Sequence, residues 1–257
     1  MAFGEIVALK PTTVGFERGE FCVLLGSSGA GKSTLLRCLN FLNRPTCGKV
    51  SIDGDRDLRD PKVLHQHRRR TGMIFQQHQL IGRHTALQNV LLGRIGYHSA
   101  LRSLFPLPRA ERIIAMEALE RVGLLDKALE RIDRLSGGQQ QRVGIARALA
   151  QKPTLMLADE PVASLDPSSS HKILSLLRKI CKEDAIPTVV SLHQLELAET
   201  FADRIIGLAH GRVVFDGAPE GLTSSVLAQI YEPINSPTKP VTQKDPAFFH
   251  DLILVED

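Results

Sequence analysis

Hydrophobic residues in this chain gather in short runs that hardly alternate with polar ones. Phe21-Cys22-Val23-Leu24-Leu25 and Thr154-Leu155-Met156-Leu157-Ala158 are almost wholly apolar, and Thr188-Val189-Val190-Ser191-Leu192 is interrupted once. Runs of this length read as strands covered on both faces, as the central strands of a parallel sheet are when helices flank it. Gly72-Met73-Ile74-Phe75-Gln76 reads as a further strand. Between them, Gly137 to Leu149 has a good helix pattern with Ser136 placed as its cap, and Asp166-Pro167 ahead of Ser168-Ser169-Ser170 is a strong helix start. The pattern predicts an α/β fold.

The first apolar run leads directly into Gly26-Ser27-Ser28-Gly29-Ala30-Gly31-Lys32-Ser33, which fits the phosphate-binding pattern G-x-x-x-x-G-K-[ST] in the strand-to-helix setting its chemistry requires. The three glycines let the backbone curl so that successive N–H groups face one centre, and the helix continuing through Thr34 aims its positive end at the same point. Lys32 is expected to reach the β- and γ-phosphates of a nucleotide. The Ser33 hydroxyl is expected to join the shell of a magnesium ion, which keeps several waters and takes few protein ligands. The plainer alternative is a glycine-rich turn that merely joins strand to helix.

Asp159 and Glu160 follow the run ending at Ala158, so two carboxylates emerge at a strand's carboxyl end, where ligands of open parallel sheets bind. Asp159 is expected to hold magnesium directly or through water, and Glu160 to orient and deprotonate the water that attacks the γ-phosphorus. His193 ends the run Thr188 to Leu192 and is expected at the same sheet edge, where a donor to the γ-phosphate stabilises charge in the transition state. An exposed acidic pair and a structural histidine are the plain alternatives. Ser136-Gly137-Gly138-Gln139 opens a second helix start suited to an anion. Two such starts and one pair of carboxylates suggest a composite site shared by two copies of the chain.

The chain has 257 residues, 43% of them hydrophobic, enough to bury a substantial core. No run approaches the roughly 18 apolar residues that span a bilayer, and the opening MAFGEIVALK lacks a charged region followed by a long apolar one, so the chain is expected in the cytoplasm. Cys22, Cys38, Cys47 and Cys181 form no C-x-x-C pair; two lie in segments that read as buried, and all are expected as reduced thiols. The net charge of +4 is modest. Arg68-Arg69-Arg70, behind His65 and His67, reads as a solvated helix face; without interleaved aromatic residues to stack bases, no nucleic acid is expected. Pro233, Pro237, Pro240 and Pro246 mark a flexible tail whose apolar end, Phe248 to Val255, has the body, a twin or a partner to dock on.

With the phosphate loop, Gln76 at a strand end, the Leu135-Ser136-Gly137-Gly138-Gln139 segment, Leu155 to Glu160, Ser164-Leu165-Asp166 and His193 in this order, the chain resembles the ATP-binding subunits of ATP-binding-cassette transporters from about Phe3 to Tyr231. The resemblance implies that Gln76 contacts magnesium and senses occupancy, and that Asp166 lies at a dimer seam facing the opposite phosphate loop. It also implies that an aromatic residue, here Phe3, stacks on adenine. The strand usually ahead of that aromatic is missing, which places Phe3 near a fraying end and weakens stacking worth roughly 1 to 3 kcal/mol.

The resemblance implies a P-loop NTPase with a RecA-like core, a helical subdomain over about 77–143, a small antiparallel β part, and a proline-rich tail over 232–257. It further implies a head-to-tail homodimer holding two ATP molecules, bound to permease subunits at the cytoplasmic face of a membrane and served indirectly by a substrate-binding protein. The stretch GMIFQQHQLIGRHTALQNVLLGRIGYHSALRSLFP is most similar to the ATPase subunits of phosphonate importers. Phosphite or phosphate esters, an amino acid such as methionine, or lipid and lipoprotein export are the other cargoes within the same role. A soluble ATPase of DNA repair or translation is the rival outside it, disfavoured because one motif set occurs without heptads.

Overall fold

The computed structural model describes residues 1–3, 6–52, 56–76, 79–103, 105–231 and 252–255. In chain order the elements are β1 (Ala2–Phe3), β2 (Ile6–Val7), β3 (Val14–Phe16), β4 (Phe21–Leu25), α1 (Lys32–Leu39), β5 (Lys49–Ile52), β6 (Arg56–Asp57), α2 (Pro61–Arg69), β7 (Thr71–Ile74) and α3 (Ala86–Leu91). There follow α4 (Ala100–Ser103), α5 (Arg109–Arg121), α6 (Gly137–Ala150), β8 (Leu155–Asp159), α7 (Pro167–Glu183), β9 (Thr188–Leu192), α8 (Leu195–Phe201), β10 (Arg204–Ala209), β11 (Arg212–Gly217), α9 (Ser224–Tyr231) and β12 (Leu252–Val255). Two compact units share them: Met1–His67 with Arg178–Asp257, and Arg68–Leu177.

In the first unit the apolar run Phe21 to Leu25 is β4, and none of its side chains is more than 1% exposed. Parallel strands β10 and β9 flank it, with Val23 opposite both Ile205 and Val190, and β11 adds an antiparallel edge to β10. Such a strand has no solvent face, which is why its sequence shows no alternation. Helix α1 buries Leu35, Leu36 and Leu39, each worth roughly 1.5 to 3 kcal/mol of transfer free energy.

A second, antiparallel sheet of the same unit runs β3-β12-β5-β6. Leu254 of β12 pairs with Val14 on one side and Val50 on the other. The apolar end of the chain thus docks on the body through residues 252–255, whereas the proline-rich stretch before it lies outside the described residues. At the other end, β1 and β2 pair antiparallel, with Phe3 opposite Ile6, and the Met1 amino group donates to Leu9 O at 2.5 Å.

Asp203 ties this unit together. Its carboxylate accepts from Phe21 N (2.8 Å), Lys182 Nζ (2.6 Å) and Arg178 Nη2 (3.1 Å). Burial alone would raise its pKa, but the Lys182 and Phe21 hydrogen bonds and the two cations outweigh it and hold the carboxyl below its ordinary value. A depressed folded pKa means that the stabilisation is present above the unfolded value of about 3.9 and is lost as pH falls through the lower folded value. Asp203→Asn is therefore expected to be less stable than the parent at pH 7 by roughly 1.5 to 3 kcal/mol, the usual worth of hydrogen bonds to a charged group. The gap should narrow on acidification below about pH 4, as followed by thermal melting; a gap unchanged down to pH 2 would contradict this.

In the second unit β7 and β8 run parallel, Thr71 opposite Leu155 and Ile74 opposite Ala158, and helices α3, α5 and α6 pack on one another. Strand β7 ends two residues before Gln76, and Asp159 belongs to β8 rather than following it.

Three cysteines are buried, one more than the sequence suggests: Cys22, Cys38 and Cys181. Burial pushes the Cys38 thiol up to about 11 and also raises the other two, so all three are neutral apolar fillers. His67 departs from the solvated face expected of it. It is buried, with Nε2 2.8 Å from Leu39 O, because α2 turns that position toward the end of α1. Among the described residues no helix is long and apolar enough to cross a membrane.

Candidate nucleotide-binding and hydrolysis site

Gly26 to Gly31 of the expected phosphate loop form the turn from β4 into α1. Gly31, at the start of the helix, has φ +107, and a Cβ there would lie 2.8 Å from Ala8 O, so only glycine fits. No side chain caps α1 and its first turn holds no acid. Its positive dipole end therefore meets no carboxylate of its own first turn and favours an anion. Lys32 is only 5% exposed, and its ammonium donates to Gly26 O (2.7 Å) and Ser27 O (3.0 Å), which holds the charge at the loop itself. Ser28 and Gly29 are exposed at the loop's crest, Ala30 is buried beneath, and Ser33 and Thr34 are half-buried on the first turn of α1.

Leu25 of β4 stands opposite Leu192 of β9 in a parallel ladder. Gly26 and His193 therefore leave neighbouring strands at the same edge. His193 is exposed there, and its carbonyl accepts from the Tyr231 hydroxyl at 3.3 Å. Phe3 lies in β1, and its side chain lies outside the described residues.

In the second unit the parallel pairing of β7 and β8 brings Gln76 and Glu160 together although 84 residues separate them. Gln76 Nε2 donates to Glu160 Oε2 at 3.2 Å. Asp159 is 6% exposed at the end of β8, while Glu160, just past it, is half-buried. Glu160 has φ +45, a left-handed conformation rare outside glycine. Such backbone costs on the order of 1 to 3 kcal/mol and persists where the surroundings impose it, commonly at functional sites. The sequence held no signal for that strain.

Helix α6 begins with a complete capping box: Ser136 Oγ accepts from Gln139 N (3.3 Å) and Gln139 Oε1 accepts from Ser136 N (2.9 Å). Ser136 and Gly137 are exposed. A Cβ on Gly137 would stand 3.7 Å from Leu165 Cδ2, so this helix start and the Ser164-Leu165-Asp166 turn are neighbours. Asp166 does serve as the helix start read in the sequence: its Oδ1 accepts from Ser169 N at 2.9 Å, and hydrogen bonds from Ser169 hold its carboxyl below the ordinary value. A cleft of about 430 Å³ in the same unit is lined by Gln76, Gln79, Asp133, Gln140 and Ser164 among others. Of these, Gln79, Asp133 and Gln140 had no distinguishing pattern in the sequence.

A family model described as ABC transporter matches residues 9–163, more than half of the chain. The chain belongs to the ABC transporter family. Among relatives, "Phosphonates import ATP-binding protein PhnC 3" of Nostoc sp. is 64% identical over 228 residues, 89% of this chain and 87% of the relative. "Phosphite import ATP-binding protein PxtA" of Stutzerimonas stutzeri is 59% identical over 250 residues, 95% of this chain and 90% of the relative. The dimeric post-hydrolysis structure of the ATP-binding cassette MJ0796 bound to ADP and Pi superposes with a TM-score of 0.72 at 38% identity, covering 86% of this chain and 96% of that one. This member of the ABC transporter family is therefore an α/β P-loop ATP-binding cassette, as its motifs implied.

Proposed function

We propose that the chain is the ATP-hydrolysing subunit of a membrane importer for phosphonate or phosphite. The observation that carries its chemistry is the phosphate loop with Lys32 already held at its carbonyls and His193 issuing from the adjacent strand. The cargo reading is supported by relatives about 60% identical whose names specify phosphonate and phosphite import.

In this reading the backbone N–H groups of Gly26 to Ser33 and the Lys32 ammonium bind the nucleotide phosphates, Thr34 extends that first helical turn, and Phe3 stacks on adenine. A water oxygen bonds to the γ-phosphorus as the bond to the bridging oxygen of ADP breaks, and Glu160 takes the water's proton. Gln76 holds the Glu160 carboxylate in place, and His193 donates to a γ-phosphate oxygen as charge gathers there. Ser33, Gln76 and Asp159 are the residues that would hold magnesium. The ion, when bound, neutralises phosphate charge. Among the described residues no group of three or more His, Cys, Asp or Glu side chains is arranged for a metal.

Two copies arranged head to tail would complete each site. Ser136, Gly137, Gly138, Gln139 and Asp166 of one would close on the nucleotide held by the other. Closing on ATP and reopening after hydrolysis would shift permease subunits between two states at the membrane, with the cargo delivered by a separate binding protein.

Loss of the gene is expected to abolish growth on methylphosphonate or on phosphite as the sole phosphorus source and to leave growth on orthophosphate intact, with rescue by the wild-type gene and not by Glu160→Gln. Unimpaired growth on both would contradict the cargo. Failure on phosphite alone would narrow the cargo to phosphite.

A further inference from the structure

The second unit buries a cluster of charge with no part in the chemistry above. It lies where the 3-10 turn 92–97 meets the last turn of α6. Arg94 is 5% exposed and its Nε donates to Glu111 Oε2 at 2.5 Å, while Nη1 donates to Ala150 O at 2.8 Å. The guanidinium also lies 3.7 Å from the centroid of the Tyr97 ring, and that of Arg69 covers the same ring at 4.6 Å. The Tyr97 hydroxyl donates to Gln151 O, and His98 Nε2 stands 3.0 Å from Glu111 Oε1. Burial alone would raise the Glu111 carboxyl, but the bonds from Arg94 and His98 outweigh it and hold the group ionised. Next to Arg94, a Cβ on Gly93 would lie 2.4 Å from Arg147 O, so the turn's backbone sits directly on α6.

The last turn of α6 is thus gripped at Arg147, Ala150 and Gln151. A helix leaves its final carbonyls without partners, and a cation there is favoured by the dipole. Packing alone does not need such a device, since apolar residues hold helices together without the cost of several kcal/mol for each buried ion. What the charges add is a fixed position along the helix axis: an apolar contact tolerates sliding, whereas a planar fork on one carbonyl and one carboxylate does not. At the other end of α6, 14 residues and about 21 Å away at 1.5 Å per residue, stand Ser136 to Gln139.

Building on the paired site proposed above, we infer that Arg94, seated by Glu111 and Tyr97, is a positioning residue for nucleotide closure. It sets where the start of α6 stands when Ser136 to Gln139 meet the nucleotide of the second copy. The phosphate loop belongs to the other unit.

The test uses the full chain carrying Glu160→Gln, with ATP-dependent pairing followed by sedimentation and binding of a fluorescent ATP analogue to the single chain followed by anisotropy. Adding Arg94→Lys, which keeps the charge and loses the fork, should weaken pairing at least tenfold and leave single-chain nucleotide affinity within twofold. Adding Tyr97→Phe, which removes one hydroxyl, should weaken pairing several-fold with a melting temperature close to that of the parent. A Glu160→Gln parent that stays single with ATP would overturn the paired site and this inference with it. A parent that pairs, with Tyr97→Phe and Arg94→Lys pairing as tightly, or with nucleotide affinity falling in step with pairing, would overturn the inference alone.

Discussion

Glu160→Gln lowers the rate of ATP hydrolysis by about 10² to 10⁴, the contribution of a positioned general base, or roughly 2.7 to 5.4 kcal/mol of activation free energy. The substitution keeps the size of the side chain and an oxygen for the Gln76 amide, which donates to Glu160 Oε2 at 3.2 Å. What is lost is the lone pair that accepts a proton at neutral pH. The left-handed backbone at φ +45 aims this side chain and is unaltered by the change. Nucleotide affinity should therefore stay within a few-fold of the parent, because the groups assigned to phosphate binding lie on the phosphate loop. Phosphate release under saturating ATP measures the effect, and a variant turning over at the parental rate would remove Glu160 from the catalytic role.

Lys32→Ala acts on binding instead. The ammonium is poised on Gly26 O and Ser27 O, two carbonyls of the loop that is to take the phosphates. Removing it deletes a charge-assisted contact to phosphate worth roughly 1.5 to 3 kcal/mol, so the dissociation constant for ATP is expected to rise about 10- to 150-fold. Gly31 and the uncapped start of α1 remain, so some phosphate affinity should persist. Titration calorimetry with ATP reads the change directly. An unchanged affinity would contradict the assignment of Lys32 to the phosphates.

The parts of this molecule that were legible in the sequence are those whose chemistry is local. A phosphate loop needs its glycines, lysine and serine within eight residues, a helix cap needs one side chain at the helix start, and a central strand needs only an apolar run. Gly26 to Ser33, Ser136 as a helix cap, and β4 and β9 stand where those patterns placed them, and β8 is displaced by one residue. Contacts made by strand pairing are a different matter. That Gln76 meets Glu160 depends on β7 lying beside β8, and nothing near either residue encodes it. The burial of His67 depends likewise on which side of α2 faces the end of α1.

Arg94 shows the limit most clearly. It sits in the stretch whose wording pointed to phosphonate importers, where it reads as one more surface arginine. Its partner Glu111 is 17 residues away on another helix, and its other partners are backbone carbonyls, which any sequence supplies. The end of the chain illustrates the reverse case: the apolar run was visible, and only the ladder with β3 and β5 decides that its last strand docks on the body.

In the function proposed above, two copies of this chain close around ATP. Sedimentation of Glu160→Gln with magnesium and either ATP or ADP tests it most directly. A paired species with ATP that dissociates in ADP is the expected result; a single-chain species in both, at concentrations where the nucleotide is fully bound, would rule the closed pair out.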